Sequence, residues 1–196
     1  MTKLYLSILL SFLVFCANAQ GQLKKYPMPK DVSEKMLASV PEKEGKIVFE
    51  EEVPAAPGMK KDELYTRIRK WFADSFAEDK SALETDDVAN GLLSGKAAYK
   101  YSKASGLIVN SGYINCVIKM VVTDGGCKYQ LSDFTTNEST NGLTGLASTG
   151  IKHSYDLTDV LQEYRSGKKT NQARRQLDNM NQLAYYIQAS LKDLLK

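Results

Sequence analysis

The sequence predicts an α+β fold in which helix covers one face of an antiparallel sheet, in the order β-α-β(4)-α with a long C-terminal helix. Three observations support this prediction. Residues 61–77 show an amphipathic helical pattern, residues 112–134 show a hairpin pattern with one apolar face, and apolar residues near the C-terminus recur at alternating spacings of four and three. The helices and the apolar face of the hairpin are therefore expected to bury each other.

The first 19 residues are predicted to be a secretory signal peptide. After a short basic start, an apolar run covers Leu4–Cys16, and Ala17-Asn18-Ala19 is a typical cleavage site before Gln20. The run is too short to cross a bilayer comfortably. Bulky Phe15 disfavours lipid anchoring through Cys16. We therefore expect an exported protein, periplasmic or extracellular, with no transmembrane segment after cleavage.

Composition gives no reason to expect nucleic acid as a partner. The chain has 26 Lys and Arg against 23 Asp and Glu, and the net charge of +3 is too small a basic excess to indicate a nucleic-acid partner. Cys116 and Cys127 remain after cleavage, and an exported pair is a candidate disulfide. The predicted hairpin places them about five residues out of register, which is too far for a disulfide. We expect two buried free thiols.

Residues 20–45 are predicted to be a polar tether. Within it, Asp31–Val40 has apolar residues at four-residue spacing and favours a short helix that Pro41 would end. Lys46–Val53 then alternates apolar and polar residues and predicts a strand with one buried face. Two prolines and a glycine connect this strand to the first long helix.

The helix over residues 61–77 is the element around which the fold is predicted. Its large apolar residues share one side: Leu64, Ile68, Trp71, Phe72 and Phe76. They include the only Trp and two of the six Phe of the chain. A stripe of this size needs a large apolar partner, and the strands around the helix are expected to supply it.

Four further strands are predicted after the helix. They are Ser81–Asp87, Leu92–Ser102, Tyr113–Thr123 and Gly126–Phe134, with a loop at Lys103–Gly106. Asp124-Gly125 is a preferred two-residue hairpin turn. This turn would pair Val122 with Cys127, Met120 with Tyr129 and Ile118 with Leu131. All of these side chains then point to one apolar face, while the opposite face is mostly polar.

The C-terminal part is predicted to be a loop followed by two helices. Thr135–Gly150 is rich in Thr, Ser, Asn and Gly, and Leu157–Arg165 reads as a helix capped by Asp156. The last helix carries a seven-residue repeat of Ala173, Leu177, Met180, Ala184, Ile187, Leu191 and Leu194. This stripe favours packing on the chain's own domain, and a coiled-coil homodimer is the alternative that the sequence leaves open.

Parts of the sequence resemble a known family. The stretches that carry the resemblance are KIVFEEEV with the DELY…WF helix, ANGLLSGKAAYKY, and the GY…DGG.Y hairpin. Over Lys46–Phe134 the chain resembles an exported domain-of-unknown-function family of Bacteroides-like bacteria with a TATA-binding-protein-like (TBP-like) fold. The resemblance implies this fold and no activity. The chain then divides into a signal peptide (1–19), a polar tether (20–45), a TBP-like domain (46–135), a loop (136–155) and C-terminal helices (156–196).

No pattern in the sequence predicts a catalytic, cofactor or metal site. His153 is the only histidine and has no partner at metal-ligand or acid–base spacing. The polar face of the sheet and two tyrosines of the last helix form the predicted interaction surface instead, which comprises Val117, Val121, Lys96, Lys100, Lys119, Tyr185 and Tyr186.

We therefore expect an exported, non-catalytic binding or interaction module whose partner is an unknown protein or ligand of the cell envelope. One alternative is small-molecule or lipid binding between the helix and the sheet, which needs a cavity near Trp71 and Tyr129. Another is a carboxylate-based hydrolase of the cell envelope, which needs Glu84, Asp86 and Asp87 to converge in a cleft.

Overall fold

The computed structural model describes residues 26–76, 83–105, 108–142, 153–168 and 170–196. The elements in chain order are α1 (Lys30–Ala38), β1 (Glu42–Lys43), β2 (Lys46–Ile47), β3 (Phe49–Pro54), α2 (Lys61–Ser75), β4 (Leu83–Asp87), β5 (Leu92–Ser105), β6 (Ile108–Thr123), β7 (Gly126–Gly142), β8 (His153–Asp156), α3 (Leu157–Arg165) and α4 (Asn171–Leu194). The predicted signal peptide lies outside the described residues. In the residues that are described, no helix is long and apolar enough to cross a membrane.

The main sheet is antiparallel and has the strand order β3-β7-β6-β5-β4, with β8 pairing the same edge of β7 as β3 does. A separate small hairpin joins β1 and β2. Helices α2 and α4 both contact β6 and β7 and contact each other. The predicted α+β architecture, with helix on one face of an antiparallel sheet, is confirmed.

The β6–β7 hairpin has the predicted register. Val122 lies opposite Cys127, Met120 opposite Tyr129 and Ile118 opposite Leu131. The apolar row of β6 is at most 2% exposed along its whole length and comprises Ile114, Cys116, Ile118, Met120 and Val122. This face, on which α2 and α4 pack, is called the inner face below, and the opposite one the outer face. The alternation of side chains along the strands therefore decides what is buried.

The strands extend further than the sequence predicted. The predicted loops at Lys103–Gly106 and Thr135–Gly150 are wrong in part, because β5 reaches Ser105 and β7 reaches Gly142. Residues 135–138 of β7 also pair with β8, most of which the sequence placed in the loop 136–155. The stretch is polar, but Thr is β-branched and suits a strand whose partners are already in place. Residues 143–152 of the predicted loop lie outside the described part of the chain.

The predicted polar tether is wrong for residues 30–40, which pack on the domain. Leu37 of α1 is 8% exposed and Val40 is 4% exposed. Helix α1 contacts α4, and the Ser33 hydroxyl donates a 3.4 Å hydrogen bond to Asp178. The short helix that the spacing favoured is present, and its apolar residues are used for packing.

The stripe of α2 is buried as predicted. Leu64, Ile68 and Phe72 are 0% exposed. Trp71 is 8% exposed, and its indole N–H donates a 3.1 Å hydrogen bond to the Ser190 hydroxyl of α4. Helix α2 therefore packs on the sheet and is also hydrogen-bonded to the neighbouring helix α4.

The seven-residue stripe of α4 packs within the chain. Six of its seven members are buried, and Leu194 is partly buried against the same core. Helix α4 contacts β3, β6 and β7 together with the other three helices. The chain's own sheet and helices therefore cover this stripe, and a homodimer through the C-terminal helix stays a prediction.

The turn before β5 depends on Gly91. Its φ is +69°, and a Cβ there would lie 2.3 Å from the carbonyl oxygen of Val122. The Gly91 carbonyl also accepts a 2.8 Å hydrogen bond from the Val122 N–H. The turn therefore lies against the end of β6 and leaves no room for a side chain.

Gly91→Ala is expected to lower the free energy of unfolding by about 3 kcal/mol or more, because the clash adds to a left-handed alanine's cost of about 1–2 kcal/mol. Gly125→Ala is the matched control. Gly125 has a φ of +90° but nothing within 4 Å of an added Cβ, so only the conformational cost applies. Urea denaturation measures both variants. Equal losses of stability would contradict the close contact between Gly91 and Val122.

Asn181 lies inside the packing of α4 and is 0% exposed, and neither polar atom of its side chain has a partner in the part of the chain that the structure describes. An unpaired buried carboxamide costs about 1–3 kcal/mol. Asn181→Leu is therefore expected to raise the free energy of unfolding by about 1 kcal/mol in urea denaturation. Gln182→Leu, which loses 3.3 Å bonds to Met28 and Tyr26, is expected to lower it. Destabilisation by Asn181→Leu would be the contrary result.

Candidate binding surfaces

The outer face of the sheet exposes apolar side chains in its middle strands. Leu92 and Val121 lie opposite each other on β5 and β6 and are 40% and 41% exposed. Val117 lies four residues before Val121 on the same face of β6 and is partly exposed. Tyr113 lies a further four residues back along β6 and is 37% exposed. Helices α2 and α4, which contact β6 and β7, pack on the inner face instead. The structure therefore places Val117 and Val121 on an open surface, as predicted.

Lysines surround these apolar side chains. Lys96 forms a 2.9 Å ion pair with Glu84, and Lys100 lies 6.0 Å from the centroid of the Tyr113 ring. Lys119 and Lys128 are exposed and form no ion pair with any residue that the structure describes. An apolar centre with positively charged surroundings complements an acidic protein surface.

The two tyrosines predicted for the interaction surface are not part of it. Tyr186 is 1% exposed, and its hydroxyl donates a 2.9 Å hydrogen bond to the Ser75 hydroxyl of α2. Tyr185 is partly buried on α4, which lies on the inner side of the sheet. The prediction of Tyr186 as a surface anchor is wrong, because α4 has neighbours on several sides and its buried sector extends beyond the seven-residue stripe.

Asp86 is held by two residues of α2. Its two oxygens accept hydrogen bonds of 2.8 Å from the Tyr65 hydroxyl and 2.7 Å from Arg69. The hydrogen bond from Arg69 is the main reason that the pKa of Asp86 is lowered, and the Tyr65 hydroxyl adds to it. Asp86 is therefore an ionised link between α2 and β4.

Glu84 and Asp87 are occupied elsewhere. Glu84 pairs with Lys96 on the neighbouring strand. Asp87 accepts hydrogen bonds from both the backbone and the side chain of Asn90 in the turn, and these lower its pKa. The three carboxylates that the hydrolase alternative requires thus have separate partners and do not converge on one cleft.

The thiols are buried and unpaired with each other, as predicted. Cys116 and Cys127 are free cysteines, 2% and 1% exposed. Burial raises the pKa of Cys127 to about 12 and also raises that of Cys116, which suppresses thiolate reactivity. His153 pairs with Glu138 through its backbone, and its side chain lies outside the described residues. The described residues contain no group of three His, Cys, Asp or Glu that could hold a metal ion.

Glu51 is a residue whose role the sequence reasoning missed. It lies on the inner face of β3 opposite Tyr129. One carboxylate oxygen accepts hydrogen bonds of 3.0 Å from the Tyr129 hydroxyl and 2.6 Å from Gln188, and the other pairs with Lys192 at 2.7 Å. Alternation along β3 already separated Glu51 from Glu50 and Glu52, and that was the signal available in the sequence.

The environment keeps Glu51 ionised. Burial alone would raise its pKa, but the hydrogen bonds from Lys192, Gln188 and Tyr129 outweigh burial and lower it. Burial raises the pKa of Tyr129, and the Glu51 charge raises it further. The carboxylate of Glu51 therefore anchors α4 to the edge of the sheet.

A groove of about 310 Å³ lies beside this anchor, between α1, β3 and α4. Its lining residues are Val32, Met36, Ser39, Pro41, Phe49, Glu50, Glu51, Tyr129, Ala184 and Gln188. We call it the α1–β3 groove. The sequence alternative needs a cavity near Trp71, and Trp71 packs edge-on against Phe72 and Phe76. The space lies instead on the other side of α4.

Comparisons with known proteins concern the fold. Residues 49–137 match the family described as a domain of unknown function (DUF4468) with TBP-like fold. A crystal structure of a DUF4468 family protein from Bacteroides ovatus ATCC 8483 is 20% identical with a TM-score of 0.59, over 83% of this chain and 96% of that one. A TBP-like protein from Parabacteroides distasonis ATCC 8503 is 14% identical, also with a TM-score of 0.59, over 80% and 96%. No curated protein matches the chain. The resemblance to this family and the TBP-like fold are confirmed.

Glu51→Gln is expected to lower the free energy of unfolding by about 2 kcal/mol near pH 7, because it removes the charge that three partners share. The folded-state pKa is below the ordinary value of 4.5. The charge therefore stabilises the fold above that value, and its contribution is lost as pH falls through the folded pKa. Urea denaturation should show the gap between wild type and variant narrowing below about pH 4.5.

Glu52→Gln makes the same change of charge at an exposed position on the same strand. It is expected to change the free energy of unfolding by less than about 0.5 kcal/mol near pH 7. If Glu51→Gln behaves like Glu52→Gln, the Glu51 carboxylate does not anchor α4 to the sheet.

Proposed function

We propose that the protein is an exported, non-catalytic interaction module that binds an acidic partner protein. Residues 49–137 of the chain match the DUF4468 family with TBP-like fold. The contact would use the outer face of the sheet. Export is supported by the signal-peptide pattern of residues 1–19. Neither the family match nor the fold assigns an activity to this chain.

The outer face carries the proposal. Val121 and Leu92 are each about two-fifths exposed and adjacent across the β5–β6 pair. Recognition surfaces commonly combine such an apolar centre with a charged rim. The rim here includes Lys119 and Lys128, which form no ion pair among the described residues, although Glu52 lies opposite Lys128 in the register.

The non-catalytic part of the proposal is supported by how the reactive side chains are used. Both thiols lie in the apolar interior with raised pKa values. Asp86 and Glu51 have lowered pKa values and hold helices to strands. A general acid needs a raised carboxyl pKa in a cleft, and these two carboxylates have the opposite environment.

Val117→Asp with Val121→Asp is expected to weaken partner binding at least about tenfold, because it places two carboxylates in the apolar centre facing an acidic partner. The measurement uses the exported chain as bait on the native envelope fraction, with quantitative mass spectrometry and then binding of the recovered protein. Binding should also weaken as salt rises from about 0.05 to 0.5 M.

Thr66→Asp with Ala73→Asp is the matched control, since both are exposed on α2 and the charge change is the same. This control should retain the partner. Urea denaturation should show that both double variants stay folded. Equal recovery of every captured protein by the Val117/Val121 variant and by wild type would overturn the proposed function.

A further inference from the structure

Strand β5 has an edge that the described chain leaves open. The strand pairs with β6 along its whole length, from Leu92 to Ser105. On its other side, β4 pairs only with Leu92–Gly95. An extra residue of β4 at Glu84 shifts the register there, and bulges of this kind commonly end pairing. Among the residues that the structure describes, residues 96–105 therefore have a strand on one side alone.

The backbone of this edge is available for pairing. In an antiparallel ladder every second residue directs its N–H and C=O groups toward the neighbouring strand, and the residues between direct theirs the other way. No backbone group of residues 96–105 has a backbone partner outside the β5–β6 ladder in the described part of the chain. About half of these residues therefore offer a donor and an acceptor to an incoming strand.

Tyr99 makes the inner side of this edge apolar. It is partly buried against the core, next to the fully buried Ala97. Tyr101 instead extends across Gly112 toward β7, where its hydroxyl donates a 2.8 Å hydrogen bond to Glu138. Tyr99 therefore lies at the margin of the inner face. An apolar side chain on an added strand, opposite Tyr99, would continue this face.

The outer side of the edge is positively charged. Lys96 and Lys100 are both exposed. Lys96 shares its charge with Glu84, whereas Lys100 lies near the Tyr113 ring and forms no ion pair with any described residue. Opposite charges across a strand pair are favourable and like charges are unfavourable. A second copy paired antiparallel about Ala98 or Lys100 would place lysine opposite lysine, so the edge favours an acidic strand over itself.

We propose that the open edge of β5 binds an extended acidic segment of a partner protein as an added antiparallel strand. Its acidic side chains would lie opposite Lys100 and Lys96, and apolar side chains between them would lie opposite Tyr99 and Ala97. In strand addition the backbone gives affinity and alternate side chains give specificity. The edge is a surface distinct from the apolar centre of the outer face at Val121, so this site goes beyond the proposed function.

The probe is a capped peptide of sequence Thr-Val-Glu-Val-Thr-Val-Glu, whose glutamates lie opposite Lys100 and Lys96 when it runs antiparallel to β5. An NMR titration of the exported chain should give a Kd on the order of 0.1 mM. Bound peptide should also slow hydrogen exchange at every second amide of residues 97–101. The same peptide with lysine in place of both glutamates should bind at least about tenfold more weakly.

Two N-methylated forms of the peptide test the strand geometry. N-methylation of the valines blocks the amides on one side of the extended peptide, and N-methylation of the residues between them blocks the other side. Only one side faces β5, so one form should bind at least about tenfold more weakly and the other should stay within about threefold. Equal binding of the two forms would mean a charge contact without strand pairing and would overturn the proposal.

Lys100→Glu should weaken binding of the acidic peptide about tenfold and should strengthen binding of the lysine peptide, which also shows that the variant is folded. Lys30→Glu makes the same charge change at an exposed position on α1 and should keep both Kd values within about twofold. Equal effects of the two variants, no shift at about 5 mM acidic peptide, or a dimer that the peptide dissociates in sedimentation would each overturn the proposal. The titration uses no envelope protein, so this site and the proposed function fail separately.

Discussion

Burial of one apolar face of the sheet beneath two helices is the constraint on which the rest of this structure depends. Ile118 at its centre is 0% exposed, and so are Phe72 of α2 and Ile187 of α4. Because side chains alternate along a strand, a slip of one residue would move the whole row to solvent. The tight turns at Gly91 and Gly125 prevent that slip by fixing where β5 and β7 begin.

Apolar burial has no direction, so polar contacts must set how the helices lie on that face. Helix α4 is fixed to α2 by Trp71 and Ser190 at 3.1 Å, and to β3 by Glu51 and its partners. Asp86 ties α2 to the opposite edge strand through Arg69 and Tyr65. The buried bond of Trp71 and the partly buried bonds of Glu51 and Tyr65 orient the helices, because their polar atoms would cost energy if the partners moved away. The Arg69–Asp86 pair is exposed and contributes less.

The sequence predicted what local rules decide. The Asp124-Gly125 turn and strict alternation were enough for the register of β6 and β7, and helical spacing was enough for the stripe of α2. It did not predict what tertiary partners decide. The Thr-rich end of β7 pairs because β6 and β8 are beside it, and Tyr186 is buried because α2 lies beside α4. Alternation separated Glu51 from Glu50 and Glu52, but its partners on α4 could not be predicted from the sequence.

The open outer face and the groove follow from the same one-sided arrangement of the helices. With α1, α2 and α4 on the inner side, the outer face keeps Val121 and its lysines uncovered, while α1 reaches α4 beside the edge strand and leaves the groove there. Strand β3 separates the two, since Glu51 faces inward and Glu52 is exposed. The outer face and the groove are therefore separate surfaces. Binding at the outer face could change the groove only if β3 or α1 adopted a second arrangement, because a rigid strand cannot transmit coupling energy between two sites.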